Sequence, residues 1–397
     1  MLFTKKIFVI VILSIFIGIG VYSLLSFMGN KNSLQEYADI IFEKCVPQNY
    51  SKGCYDKEIP KLMSTLSMEE AFDVARLIQV KEPKYLECHV LGHYLSERET
   101  AKDPAKWKDV MARCPTTMCN NGCPHGALMA RFGNETEFLS DEQIEEIKPD
   151  LMDACEPRGS WNPAEVERSM CYHAIGHLTM YATNANIDKS VELCNEIGVK
   201  KDGRNYVQTC TEGVLMSVYQ PLGPEDVALV EAIRPTKDTV NSFCKKYTGE
   251  AFHACHRESW PLFAKEVVHP EGLTQFCSYT QDEGQQVKCY ASLMNLITVI
   301  LVVNNDSIES LKDFCTDLED NRVGLCFEHA ARRLIQIDPA YTKRAVKICE
   351  AAKDAGVEDV CYTRLVSYAN WSFHKESEGF IQYCKELPVP WNIKCLE

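Results

Sequence analysis

The stretch Phe314-Cys315-Thr316-Asp317-Leu318-Glu319-Asp320-Asn321-Arg322-Val323-Gly324-Leu325-Cys326 sets two cysteines ten intervening residues apart. The first closes a helical pattern behind a bulky apolar residue, and the second opens another helix. The same junction recurs as Leu193-Cys194, Phe243-Cys244, Phe276-Cys277, Ile348-Cys349 and Tyr383-Cys384. The later couples are Cys244 with Cys255, Cys277 with Cys289, Cys315 with Cys326, Cys349 with Cys361 and Cys384 with Cys395. Their second members step by 34, 37, 35 and 34 residues. Self-similarity at that period marks a two-helix repeat.

Upstream, the couples Cys155 with Cys171 and Cys194 with Cys210 enclose longer loops, and Cys45 with Cys54 and Cys114 with Cys123 shorter ones. These nine couples read as structural disulfides. They leave Cys88 and Cys119, which can bond each other, stay reduced or act as thiol ligands. Cys88 fits as the second cysteine of a tenth unit whose first cysteine is replaced by Leu77. Between Val287 and Val303, the residues Cys289, Leu293, Leu296, Ile297 and Ile300 recur three or four apart, the spacing of one helix face. Tyr290, Phe327 and Tyr362 recur at one phase and read as core. No stretch alternates as a strand does. The spacing predicts an all-α fold, a right-handed α-solenoid of about ten disulfide-linked hairpins that bury their apolar faces on one another. Its period of about 35 is that of tetratricopeptide repeats, but their tryptophan, Leu-Gly and late-proline pattern is missing.

Twenty cysteines in 397 residues are too many to remain free thiols. Disulfides persist in oxidising compartments. The N-terminus agrees, because Lys5-Lys6 precede Ile7 to Met28, 22 uncharged and mostly apolar residues. As a helix these span about 30 Å of hydrocarbon, longer than the apolar core of a cleaved signal. The expected organisation is a cytoplasmic tail at 1–6, a transmembrane signal anchor at 7–28, a tether at 29–33 and an extracytoplasmic Cys-rich repeat domain at 34–397. The positive-inside rule sets that orientation. Residues 1–33 hold three of the 42 bases and no acid, so 34–397 carry 39 bases against 56 acids. Nucleic acid is excluded as a partner, since phosphate binding needs a basic face.

Five of the ten histidines fall in neighbouring units, in Cys88-His89-Val90-Leu91-Gly92-His93, Cys123-Pro124-His125-Gly126 and Cys171-Tyr172-His173-Ala174-Ile175-Gly176-His177. Two segments share H-x-x-G-H, which puts His89 with His93, and His173 with His177, one turn apart on a helix face. Stacked second helices set His125 between the pairs. Neutral imidazole is a preferred ligand of zinc, copper and iron, so His89, His93, His125, His173 and His177 are candidate metal ligands. Noncovalent haem held by two histidines remains open, while C-x-x-C-H for covalent haem is not met. In Cys210-Thr211-Glu212-Gly213, Glu212 takes the place of the histidine and is the candidate proton-transfer residue. Gly92, Gly126, Gly176 and Gly213 beside these residues imply that a neighbouring helix or a ligand comes close to the backbone. No P-loop, G-x-G-x-x-G, G-x-S-x-G or H-E-x-x-H occurs, which removes the commonest nucleotide, hydrolase and zincin signatures. Two functions follow. One is a membrane-anchored scaffold with a metal site, binding a protein or peptide on its solenoid surface; the other is an extracytoplasmic metalloenzyme using the same histidines.

Overall fold

A computed structural model describes residues 34–397 apart from 49, 83–84, 86–87, 116–117, 133–138, 160, 222–223, 305–306 and 376. The expected tail, anchor and tether at 1–33 lie outside the described residues. The chain divides into two compact units, one ending at Tyr85 and one running from Leu86 to Glu397.

In the first unit, α1 (34–45), α2 (Ser51–Glu58) and α3 (Met68–Lys81) enclose a core that includes Ile41, Ile59, Met68 and Phe72. A disulfide from Cys45 to Cys54 ties α1 to α2. A capping box starts α3: Ser67 accepts from the Glu70 amide at 3.1 Å, and Glu70 accepts from the Ser67 amide at 2.8 Å.

The second unit is also helical. In chain order its helices are α4 (His89–Thr100), α5 (Trp107–Ala112), α6 (Gly122–Phe132), α7 (Asp141–Ala154), α8 (Glu165–Ala182), α9 (Ile187–Gly198) and α10 (Val207–Tyr219). There follow α11 (Pro224–Val230), α12 (Val240–Cys244), α13 (Gly249–Glu258), α14 (Pro270–Cys277), α15 (Glu283–Thr298) and α16 (Ile308–Thr316). The last are α17 (Asp320–Ile337), α18 (Thr342–Ala351), α19 (Glu358–Ser372), α20 (Glu378–Glu386) and α21 (Trp391–Leu396). Among the described residues there is no strand, only the isolated bridges Arg158–Trp161 and Val199–Asn205.

All nine cysteine couples are disulfides. Besides Cys45 and Cys54, the structure bonds Cys114 to Cys123, Cys155 to Cys171, Cys194 to Cys210 and Cys244 to Cys255. It likewise bonds Cys277 to Cys289, Cys315 to Cys326, Cys349 to Cys361 and Cys384 to Cys395. In each later unit the bond joins the end of a first helix to a second helix, so that Cys255 lies on α13, Cys361 on α19 and Cys395 on α21, all buried. Cys88 and Cys119 form a tenth bond, and no cysteine is free. Cys88 therefore does not close a hairpin as the others do, and phase explains why. Cys171 precedes His173 by two residues, whereas Cys88 precedes His89 by one. One residue is about 100° of helix rotation, so Cys88 leaves α4 in another direction and meets the loop before α6.

The second helices of the hairpins form a row in which α4 packs on α6, α6 on α8, α8 on α10, α10 on α13, α13 on α15, α15 on α17 and α17 on α19. Tyr290, Phe327 and Tyr362 are buried in its core as their phase implies. In a solenoid each repeat touches only its neighbours. Here α17 also meets the turn Met118–Asn121, and α19 meets α8, so the row bends back on itself. One helix among the described residues, Glu283–Val303, is long and apolar enough to cross a membrane by length and composition. Leu293, Met294 and Ile297 of this helix are buried in the protein core, and Cys289 is bonded to Cys277.

Glycine sets the closest contacts in the row. A Cβ added at Gly176 would stand 2.0 Å from the Cys210 carbonyl oxygen, and one at Gly213 would stand 2.1 Å from that of His173. The pair α4/α6 repeats the device, since a Cβ at Gly126 would meet the His93 carbonyl oxygen at 2.3 Å. The close approach implied by these glycines is therefore met by neighbouring backbone. Gly324 in α17 differs, its nearest neighbours being side-chain atoms at 3.5 Å or more. Gly176→Ala is expected to lower stability by about 1–3 kcal/mol or more in urea denaturation, because backbone must move to admit the methyl group. Gly324→Ala is expected to be neutral or to stabilise by up to about 1 kcal/mol from helix propensity. Equal effects at the two positions would contradict this packing.

Candidate metal centre

The glycine contacts set α4, with His89 and His93, against α6, with His125, and α8, with His173 and His177, against α10, while α6 in turn packs on α8. Ring centroids of His125 lie 4.9 Å from His89, 5.2 Å from His93, 5.7 Å from His173 and 5.6 Å from His177. The five predicted histidines thus form one cluster, with His125 in the middle at 2% exposure. His89, His93 and His125 can each offer a ligand atom such that all three atoms lie within 4.8 Å of one another, a group able to hold a metal ion.

Within each pair, Nε2 faces Nε2, at 3.1 Å between His93 and His89 and at 3.2 Å between His177 and His173. The outer nitrogens point to the surrounding protein. His89 Nδ1 lies 3.2 Å from the Asn120 carbonyl oxygen. A carbonyl only accepts, so this nitrogen carries the proton, and a neutral His89 has its lone pair on Nε2. Ser217 Oγ donates to the Gly213 carbonyl oxygen at 3.1 Å and therefore accepts from His177 Nδ1 at 2.8 Å. That again leaves the lone pair on Nε2. His173 hydrogen-bonds the Thr209 backbone, and His93 Nδ1 is 3.8 Å from Glu97 Oε1. Outer hydrogen bonds of this kind fix the tautomer and aim of metal-ligating imidazoles. His125 Nε2 is buried with no hydrogen-bond partner, although an unpaired buried polar atom is costly.

Burial dominates the electrostatics. It holds His93, His125 and His177 well below the ordinary histidine pKa, with the neighbouring rings pushing the same way. His173 is also lowered by burial, against the opposing pull of Glu212 and the Thr209 backbone. These rings are neutral at pH 7, the state in which imidazole binds metal.

Glu212 occupies on α10 the slot of His125, but it is engaged elsewhere. Its Oε1 accepts from Arg257 Nη2 at 2.7 Å and from Gln208 Nε2 at 2.9 Å. Cys88 and Cys119 are tied to each other, which removes thiolate from the ligand set. Of His253, His256 and Glu258, His256 stacks on Tyr279 at 4.6 Å and Glu258 accepts from the Gln220 side chain at 2.8 Å, contacts of packing and not of helix capping. Sequence reasoning misses Asn120 and Ser217, the partners that orient His89 and His177. Asn120 lies in a left-handed run, with φ of 53°, 48° and 56° at Cys119, Asn120 and Asn121. Asparagine tolerates that conformation, and the Asn120-Asn121 pair is the only hint of it in the sequence.

No protein-family model matches the chain, and no match is found to it among curated proteins or solved structures.

The lowered histidine pKa values give stability a definite pH dependence. The unfolded chain takes up protons as pH falls below about 6.5 while the folded cluster resists them. Stability is therefore full above about pH 6.5 and is lost as pH falls, by up to about 1.4 kcal/mol per pH unit for each histidine. Urea midpoints of chelator-treated protein are expected to drop from pH 7 to pH 5, and to drop less in His125→Gln. An identical drop in the variant would show that the cluster does not cause it.

Proposed function

We propose that this chain is a transition-metal-binding protein of an oxidising extracytoplasmic compartment, anchored through residues 7–28, whose helical repeat displays the metal site beside a surface for a protein or peptide partner. The observation that carries it is the pair of Nε2-to-Nε2 approaches flanking an unpartnered, buried His125 Nε2. Two nitrogens bound tetrahedrally to zinc at about 2.0–2.1 Å stand about 3.3–3.4 Å apart. The observed 3.1 and 3.2 Å are close to that spacing. With lone pairs turned inward, each pair needs a shared cation or proton between its rings.

The donor set also narrows the ion. Five imidazoles without carboxylate or thiolate suit zinc, copper or iron rather than magnesium, calcium or manganese. His89, His93 and His125 make one position, and His173 and His177 offer two nitrogens to another. Support for the compartment comes from the pairing of all twenty cysteines, and for the anchor from the apolar run behind Lys5-Lys6. The metalloenzyme alternative is less well supported, because Glu212, its candidate proton carrier, is held by Arg257.

Full-length protein purified from cells supplied with zinc, copper and iron is expected to hold at least one equivalent of metal by elemental analysis. His125→Ala and His89→Ala should each lose it while keeping wild-type helical circular dichroism. Wild-type protein with no metal above background would remove the proposal. For the partner surface, crosslinking on intact cells is expected to yield a defined adduct, and repeated failure to recover one would count against it.

A further inference from the structure

The histidine cluster is lopsided, three rings against two. Among the described residues, His89, His93 and His125 are the group whose ligand atoms lie within 4.8 Å of one another, and His173 and His177 do not join it. The nitrogens of that second pair are engaged, Nε2 facing Nε2 at 3.2 Å and His177 Nδ1 held by Ser217 Oγ at 2.8 Å. In the first group each ring has one nitrogen to give. His89 Nδ1 donates to the Asn120 carbonyl oxygen at 3.2 Å, His93 Nδ1 lies 3.8 Å from Glu97 Oε1, and the unpartnered atom of His125 is Nε2. Three nitrogens from two helices make three corners of a tetrahedron. A structural zinc site closes its shell with four protein ligands, whereas three protein ligands leave one position for a ligand from solution.

The anionic donors of this region are engaged elsewhere. Cys88 and Cys119 are bonded to each other, and Glu212 pairs with Arg257 at 2.7 Å. Glu97, with a side chain 38% exposed, stands by the His93 nitrogen that an ion shared with His89 does not use. Charge then decides what completes the shell. Imidazole brings no negative charge to a metal, so a divalent ion held by three of them keeps both its positive charges and is the largest local charge in its site. Such a charge is costly in a largely buried place unless an anion meets it. Solvent reaches the group, because His125 at 2% exposure is its floor while His89 is partly exposed and the His93 side chain is 15% exposed.

We propose that an ion held by His89, His93 and His125 takes a small monovalent anion from solution as its fourth ligand, which makes the cluster an anion site that exists only with metal bound. This rests on the metal-binding reading above and adds to it an open coordination position. His173 and His177 stay outside the shell.

Full-length protein stripped with chelator is given half an equivalent of copper(II) and titrated with azide, followed by optical absorption and electron paramagnetic resonance. A saturable azide-to-copper charge-transfer band is expected, with a matching change in the resonance spectrum. Azide affinity should stay within about 3-fold of wild type in the double variant His173→Gln/His177→Gln. The band should be lost in His125→Ala, and one that survives there would place the copper elsewhere and overturn the proposal. Chloride and formate as competitors identify the resident anion: displacement by formate marks a carboxylate, by chloride a halide, and by neither hydroxide. Protein that takes up copper and shows no azide response would overturn this inference alone, since the ion would then have a closed shell. Azide binding that appears only in Glu97→Gln, or only in the double histidine variant, would overturn it too, by naming the protein group that fills the fourth position. Protein that takes up no copper would remove the metal-binding reading and the anion site with it.

Discussion

The backbone-to-backbone approach at glycine is the contact on which the histidine cluster depends. The His173 carbonyl oxygen sits where a side chain on Gly213 would begin, and the His93 carbonyl oxygen where one on Gly126 would begin. A larger residue at Gly126 would push α6 from α4 and separate His125 from His89 and His93, and one at Gly213 would push α10 from α8 and take Ser217 away from His177. Helices usually pack about 8–10 Å between axes, with side chains filling the gap. Removing those side chains over a turn lets the adjacent histidines project past the seam and face each other. The disulfides are complementary to this. They fix the ends of hairpins, whereas the glycines fix the distance between α4 and α6 and between α8 and α10.

The chemistry of the row changes with one substitution of type. His125 on α6 is neutral and has its partners in other imidazoles, while Glu212 in the matching slot of α10 is charged and draws in cations. Arg257, 1% exposed, pairs with it and donates to Gln285 Oε1 at 2.9 Å. Lys288 donates to Gln208 Oε1 at 2.6 Å and lies 3.5 Å from Glu250. Arg257, which is the buried member, needs such a partner. A buried neutral imidazole does not, and can keep its lone pair for a ligand. The two slots have the same place in the hairpin and different work.

Much of this is legible in the cysteine spacing because a disulfide demands a short Cα separation, so regular pairing in space leaves regular intervals in sequence. Nine couples, the helices between them and the convergence of five histidines follow from that ruler and from helical periodicity. Counting alone puts Cys88 in the wrong slot, since its distance from His89, and not from the preceding cysteine, sets its direction. What local pattern cannot show is the return of the row on itself. Arg333 and Asn120 are 213 residues apart. Neither has a neighbour in sequence that announces the other.

Asn120 joins the histidine cluster to α17 through different atoms. Its carbonyl oxygen accepts from His89 Nδ1, and its side-chain oxygen accepts from Arg333 Nη1. The left-handed run from Cys119 to Asn121 presents both acceptors, and the bond from Cys88 to Cys119 ties that run to the start of α4. The loop that orients His89 is thus also the one on which α17 rests, its left-handed conformation held by asparagine and a disulfide.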